Sequence, residues 1–136
     1  MKIHKGTVDL VRPGDIGQHL LEIIVTNGPK YLETCQSCQV GMKGIKQAFD
    51  FVDGADIVWN KDIVNQSEEY LILNVGGYAY SLSLTNEKVV VIDVDPTLQN
   101  FGEWFCKSFQ MQLELAHVDV IQFNYGDQNF RKILGY

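Results

Sequence analysis

The chain has 136 residues, of which 46% are hydrophobic and 21% charged, and its formal net charge is −6. This composition excludes a disordered or fibrous chain, and the length suits one domain with a core that needs neither disulfides nor metal. An acidic chain repels a phosphate backbone, so we expect no nucleic-acid partner, whereas a basic protein partner agrees with the charge.

The sequence offers no signal for export or membrane insertion. No apolar run approaches the roughly 18 residues that span a bilayer, and the N-terminus lacks the apolar stretch of a secretory signal. We therefore expect a cytoplasmic protein with no membrane partner. The three cysteines are an odd number, which favours reduced thiols over a disulfide framework. No linker or repeat divides the chain, so we predict a single domain over residues 1–136.

The N-terminal third predicts a strand followed by two helices. Residues 7–11 form the strand, and Asp15 caps a first helix that ends at Asn27-Gly28-Pro29. The apolar positions of this helix, at helical spacing, are Ile16, Leu20, Ile23 and Ile24. A second helix is predicted over residues 45–52, and residues 31–44 remain unassigned.

The middle of the chain changes to a strand pattern. Strands are predicted at residues 57–59, 69–75, 78–84 and 88–94. Gly76-Gly77 reads as a tight hairpin turn between the second and third of them. Short turns force neighbours to pair antiparallel, so we expect 71–75, 78–84 and 89–94 to be adjacent in that order. Parallel pairing of 89–94 would instead favour the phosphatase interpretation given below.

The C-terminal part predicts a long helix, a strand and a last helical turn. Asn100 caps the helix over residues 101–116, residues 118–123 form the strand, and 129–134 form the turn. The predicted fold class is α+β, with a mainly antiparallel sheet of four or more strands flanked by helices. We expect the long helix to pack on one face of that sheet.

Asp93-Val94-Asp95-Pro96-Thr97 follows an apolar strand and resembles the first motif of haloacid-dehalogenase-like phosphatases. The resemblance implies that Asp93 is a nucleophile, Asp95 an acid, and Mg²⁺ a cofactor. Only 39 residues follow Thr97 (136 − 97), too few for the further βα units of such a domain, and Pro96 replaces the usual glycine. We favour two solvated acids at the end of a strand.

Cys35-Gln36-Ser37-Cys38 has the spacing of half a zinc site or of a redox dithiol. Zinc needs four ligands, and no second Cys-x-x-Cys exists. A redox dithiol needs a helix start after a strand in a βαβ frame, which the predicted order of elements does not offer. The favoured interpretation is two small thiols, one or both buried.

Residues 68–105 resemble the central hairpin of the SUKH superfamily, which includes the yeast glucan-synthesis regulator and bacterial toxin-immunity proteins. The shared pattern is an apolar strand, the Gly76-Gly77 turn, the aromatic strand with Tyr78 and Tyr80, and a Val-rich strand. Asn100-Phe101-Gly102-Glu103-Trp104-Phe105 resembles the start of the family's next helix, and residues 20–28 its helix that ends in Asn-Gly. The resemblance implies a single SUKH-like α+β domain.

Three functions are weighed on these observations. The first, implied by the resemblance, is a non-enzymatic protein-binding domain, such as an immunity protein that neutralises a basic toxin domain, with no catalytic residue, cofactor or metal. Its candidate partner-binding residues are Tyr78, Tyr80, Asp93 and Asp95. The second is a small Mg²⁺-dependent phosphohydrolase or phosphotransferase using Asp93 and Asp95. The third is a metal-binding module built on Cys35 and Cys38.

Overall fold

Nine strands and three helices make up the chain, and the computed structural model describes all of residues 1–136. The strands are β1 (Lys2–Leu10), β2 (His19–Asn27), β3 (Asp56–Trp59), β4 (Ile63–Gln66), β5 (Tyr70–Val75), β6 (Tyr78–Ser83), β7 (Val89–Ile92), β8 (Val118–Tyr125) and β9 (Gln128–Ile133). The helices are α1 (Gln36–Val52), α2 (Leu98–Ser108) and α3 (Gln110–Leu115). None of the three is both long enough and apolar enough to cross a membrane.

The strands form two sheets. The six-stranded sheet has the order β7-β3-β1-β2-β8-β9, in which β1–β3 and β3–β7 pair parallel and the other neighbours antiparallel. The second sheet is antiparallel, with the order β4-β5-β6. The predicted α+β class with one mainly antiparallel sheet is therefore wrong. The large sheet is mixed, because the whole β4–β6 sheet lies within the connection from β3 to β7 and makes it long enough for a parallel crossover.

The β5–β6 hairpin forms as predicted, but the strand after it does not join it. Gly76 and Gly77 both have positive φ, 59° and 89°, as a two-residue hairpin turn requires. Strand β7 returns to the six-stranded sheet and pairs parallel with β3, from Asp56↔Val89 to Trp59↔Ile92. The predicted position of 89–94 beside 78–84 is wrong, because local turn length does not reveal that β7 buries its side chains in a different core.

The segment predicted as the first helix is strand β2. Its alternate residues Leu21, Ile23 and Val25 are all fully buried, whereas Leu20 is 74% exposed. Apolar residues at 20, 23 and 24 fit helical spacing, but those at 21, 23 and 25 fit a strand equally well. Pairing with β1 on one side and β8 on the other decides between the two patterns.

The C-terminal elements also differ from the prediction. Thr97, not Asn100, caps α2: its hydroxyl accepts the backbone N–H of Asn100 at 3.1 Å. The predicted single helix divides into α2 and α3 at Phe109. Residues 128–133 form β9, not a helical turn, because they complete the ladder with β8.

The two faces of the six-stranded sheet carry separate cores. The helices cover one face, where Phe101, Phe105 and Phe123 are all fully buried. The opposite face of the β1–β3 region meets the three-stranded sheet, and a smaller core fills the space between them. Its buried members are Val11, Val58, Leu71, Leu73 and Val75. The edge of this smaller core is where the polar site described below begins.

Gly41 lies where α1 meets α3. A methyl group at this position would come within 2.5 Å of the backbone nitrogen of Ala116 and 2.8 Å of the carbonyl oxygen of Gln112. We expect Gly41→Ala to lower the free energy of unfolding by about 1–2 kcal/mol, because overlap with backbone outweighs the better helix propensity of alanine. Gly44→Ala is the matched control, since its methyl meets only the flexible side chain of Gln112. Thermal unfolding compares the two, and equal stability would contradict the expectation.

Candidate functional site

Three carboxylates meet where β1, β3 and the turn before β7 come together. Asp9 and Asp56 are register partners in the parallel β1–β3 pair, so their side chains lie on the same face of the sheet. Glu87 precedes β7, and the backbone N–H of Asp56 donates to the carbonyl of Lys88 at 2.7 Å. These residues line an open cavity of about 490 Å³, here called the acidic cavity, whose polar lining includes Asp9, Gln18, Asp56, Asn86, Glu87 and Lys88.

The alternation of the strands explains why Asp9 is buried and Asp56 half-buried, whereas Glu87, before β7, is exposed. Asp9 shares its face of the chain with Val11, and Asp56 shares its face with Val58, both members of the small core. The acidic cavity therefore continues this core outward, with acids where apolar side chains would be expected. Leu82 is its one apolar lining residue. Burying acids costs free energy, so a cluster of this kind in a cleft is a candidate functional site.

Asp56 is the carboxyl most perturbed by this environment. Burial first, then a hydrogen bond with Glu87 and repulsion by Asp9, raise the pKa of Asp56 to about 6. The Gln18 amide donates to Asp56 Oδ1 at 3.2 Å and opposes the increase. Asp56 can therefore gain or lose a proton near neutral pH.

Asp9 supplies a buried acceptor that the protein leaves without a partner. It is 5% exposed, and its Oδ1 atom has no hydrogen bond. Burial raises the pKa of Asp9, while a hydrogen bond from the Gly17 backbone and the nearby His19 oppose that rise. Unpaired buried polar atoms are rare in native proteins, and a ligand that donates a hydrogen bond is one reason for them.

Lys88 does not neutralise the acidic cavity, although it lines it. Its Nζ donates to the carbonyl oxygens of Asp50 and Asp53, at 2.6 and 2.9 Å, and so holds the C-terminal end of α1. No ion pair joins Lys88 to Asp9, Asp56 or Glu87. The acidic cavity keeps an excess of negative charge and suits a ligand with N–H donors or a positive charge.

The residues proposed from sequence lie elsewhere and do not form one site. Tyr78 and Tyr80 are 71% and 37% exposed on β6, an edge strand of the small sheet. Asp95 pairs with Arg12, whose Nε lies 3.0 Å from Asp95 Oδ1. Asp93 is exposed and lines a separate cavity of about 420 Å³ beside α2. Their role in binding a partner stays a prediction.

The metal hypotheses have no ligand set in this structure. No group of three His, Cys, Asp or Glu side chains is arranged to hold a metal ion. Strand β7 does pair parallel, as the phosphatase interpretation needs, but Asp95 is engaged by Arg12. Cys35 and Cys38 are bonded to each other. The expectation of reduced thiols at both positions is wrong.

Sequence reasoning did not select Asp9, Asp56 or Glu87. A signal was present for the first two, because each interrupts an apolar strand: Val8-Asp9-Leu10-Val11 and Ala55-Asp56-Ile57-Val58. A charged residue inside a buried strand is uncommon unless it has a partner or a function. The parallel register that brings these two strands together could not be read from the sequence.

Comparison with known proteins identifies the fold. No protein-family model and no curated protein matches the sequence. Among solved structures, a catalytic-residue mutant of 6-pyruvoyltetrahydropterin synthase from Plasmodium vivax matches with a TM-score of 0.63 and 9% identity, over 98% of this chain and 92% of that one. The Plasmodium falciparum synthase matches with a TM-score of 0.54 and 10% identity, over 97% and 92%. An uncharacterized protein from Wolinella succinogenes matches with a TM-score of 0.60 and 13% identity, over 97% and 95%.

These matches correct the interpretation of the sequence. The resemblance to the SUKH superfamily is wrong, because the chain shares its fold with solved 6-pyruvoyltetrahydropterin synthases. The immunity function that rested on that resemblance is therefore also wrong, as is the phosphohydrolase alternative on Asp93 and Asp95. At 9–13% identity the similarity shows the fold alone. The chain has the fold seen in solved structures of 6-pyruvoyltetrahydropterin synthase.

Proposed function

We propose that the chain is an enzyme that binds a pterin-like heterocycle in the acidic cavity and moves a proton through Asp56. The observation that carries this proposal is the buried, unpartnered Oδ1 of Asp9 beside the Asp56–Glu87 carboxyl pair. The fold shared with solved 6-pyruvoyltetrahydropterin synthases supports the choice of ligand class.

The chemistry of the ligand matches the chemistry of the cavity. A pterin carries an amino group next to a ring N–H, so it presents two hydrogen-bond donors side by side. A carboxylate oxygen accepts a hydrogen bond from such an edge, and the Oδ1 atom of Asp9 has no other partner. The cavity volume of about 490 Å³ lies within the range of small-molecule sites.

Asp56 has the properties of a general acid or base. Its pKa of about 6 keeps both protonation states populated near neutral pH. The Gln18 amide donates to Asp56 Oδ1 and orients the Asp56 carboxyl. A proton taken from a bound heterocycle, or given to it, would therefore pass through a carboxyl that is already positioned in the cavity.

The proposal is tested by binding of biopterin, measured by calorimetry, to the wild type and to Asp9→Asn. Loss of a charge-assisted hydrogen bond weakens binding by roughly ten- to hundredfold. Glu114→Gln removes one negative charge on the exposed face of α3 and serves as the control, which we expect to bind like the wild type. Failure of the wild type to bind biopterin, or equal binding by Asp9→Asn, would refute the ligand assignment.

The proton-transfer role is tested separately with 7,8-dihydrobiopterin in D₂O. Incorporation of solvent deuterium at carbon, followed by NMR, reports proton removal. General acid–base groups contribute about 10²–10⁴-fold, so Asp56→Asn is expected to slow the exchange by that factor. Binding affinity should change much less than the exchange rate. An unchanged exchange rate in Asp56→Asn would contradict the role of this residue.

A further inference from the structure

The Cys35-x-x-Cys38 segment lies at the start of a helix, in a part of the chain that the sequence left unassigned. It begins α1, the helix that connects β2 with β3. β2 runs antiparallel to β1 whereas β3 runs parallel to it, so β2, α1 and β3 do not form a βαβ unit of parallel strands. The N-terminus of a helix is itself a position in which a cysteine is activated.

The two cysteines differ in access to solvent. Cys35 is partly exposed, whereas Cys38 is 0% exposed. The residues around Cys35 leave its sulfur open to approach, since Leu32, Glu33, Thr34, Gln36 and Ser37 are all exposed. The Cα atoms are 5.2 Å apart, within the range of native disulfides. An external thiol can therefore reach the sulfur of Cys35 from solution, whereas the sulfur of Cys38 is shielded from solvent.

The start of α1 stabilises a thiolate on Cys35. Cys35 is the N-cap, and its Sγ accepts the backbone N–H of Cys38 at 3.2 Å. The hydroxyl of Ser37 lies 3.2 Å from the same sulfur. The first turn of this 17-residue helix carries no acidic residue, so no carboxylate of that turn opposes the partial positive charge of the helix N-terminus. Hydrogen-bond donors and a helix dipole are what activates a cysteine.

We propose that Cys35 and Cys38 form a redox-active pair that exchanges with exogenous thiols. Cys35 is the attacked sulfur and Cys38 the leaving one; in the reverse direction Cys38 attacks the mixed disulfide and resolves it. An external thiolate attacks Cys35 Sγ, the bond to Cys38 breaks, and Cys38 leaves as a thiolate that takes up a proton. A second thiol attacks the mixed disulfide and releases Cys35. Two external thiols are thereby oxidised to one disulfide while the protein disulfide is reduced to a dithiol.

A purely structural role for the bond is weakly supported. Its stabilising effect in the chain-entropy model grows with the length of the loop it closes, and this loop spans residues only three apart. Cys106 supplies an internal contrast, since burial raises the pKa of its thiol to about 11. The pair also lies at the end of α1 opposite Gly54 and the acidic cavity, about 25 Å away along a helix of 17 residues. The two sites can therefore be tested independently.

The test is equilibration of the folded protein in buffers of graded reduced-to-oxidised glutathione ratio. Alkylation after acid quenching, read by mass spectrometry, gives the fraction of the pair that is oxidised. Circular dichroism confirms that the protein stays folded. We expect the pair to change from mostly oxidised to mostly reduced within the span of these buffers. A bond that stays intact across the whole span, and opens only on unfolding, would overturn the proposal.

The roles of the two sulfurs are tested in a Cys106→Ser background. Cys38→Ser is expected to accumulate a mixed disulfide with glutathione on Cys35. Cys35→Ser is expected to form at least tenfold less adduct, because Cys38 is buried. Equal adduct formation by the two variants would overturn the assignment of roles. Stoichiometric zinc in the purified wild-type protein would overturn the redox proposal itself, because thiolates bound to zinc do not serve in exchange.

Discussion

Replacing Phe105 with alanine is expected to lower the free energy of unfolding by about 3–5 kcal/mol, a large share of the stability of a domain of this size. Phe105 is 0% exposed, and its ring centroid lies 4.9 Å from that of Phe109 and 5.5 Å from that of Phe123. Phe109, between α2 and α3, and Phe123, on β8, cannot both move in to fill the space that the ring leaves. The variant therefore loses transfer free energy and gains a cavity.

Phe51→Ala is the matched control for this measurement. Phe51 is on α1 and is 52% exposed, so the same change of residue removes much less buried area. Denaturant unfolding of both variants gives the comparison directly. We expect a loss below about 1 kcal/mol for Phe51→Ala. If Phe105→Ala cost no more than the control, the core between the helices and the six-stranded sheet would be assigned incorrectly.

The elements that were predicted correctly are those fixed by their own residues. The β5–β6 hairpin follows from Gly76-Gly77 between two strand patterns, and that information is local. Strand β3 follows from a short apolar run that is typical of a strand. The second half of α1 follows from apolar residues at helical spacing. Phe105 and Ile92, in segments predicted as helix and strand, are both buried.

The elements that were predicted wrongly depend on distant partners. β2 has apolar residues that satisfy both periods, and only its pairing with β1 and β8 makes it a strand. The position of β7 beside β3 depends on a crossover that contains the whole small sheet. Residues 128–133 become a strand because β8 offers a free edge. Such pairings are non-local and carry no short-range signal.

The candidate site also depends on residues that are distant in the sequence. Asp9 and Asp56 are far apart in the sequence and meet only through the β1–β3 register. The spacing of Cys35 and Cys38 was visible, but their position at the start of α1 was not predicted. Asp93 and Asp95 were candidate site residues because they are close in the sequence. In the structure, Asp95 forms an ion pair with Arg12. Proximity along the chain was a poor guide to which acids share a site.

Asp56→Asn is expected to raise the free energy of unfolding at about pH 7.5 and to leave it nearly unchanged at about pH 4. The folded-state pKa of Asp56 is raised from 3.8 to about 6, first by burial. Between these values the folded state binds more protons than the unfolded state, so stability falls as the pH rises through that window. A pKa difference of this size corresponds to about 3 kcal/mol, which we reduce to about 2 kcal/mol because the carboxyl keeps part of its contact with solvent.

The difference between variant and wild type isolates Asp56 from a group that titrates with the opposite effect. Burial lowers the pKa of His4, so its contribution weakens stability as the pH falls below about 6.5. That contribution is common to both proteins and cancels in the difference, as it also does for Glu114→Gln, which should show no pH-dependent gain. Thermal melts across this range provide the measurement. If Asp56→Asn were less stable than the wild type at about pH 7.5, the carboxylate would be a structural group that the fold needs, and the reason for assigning it a function would be lost.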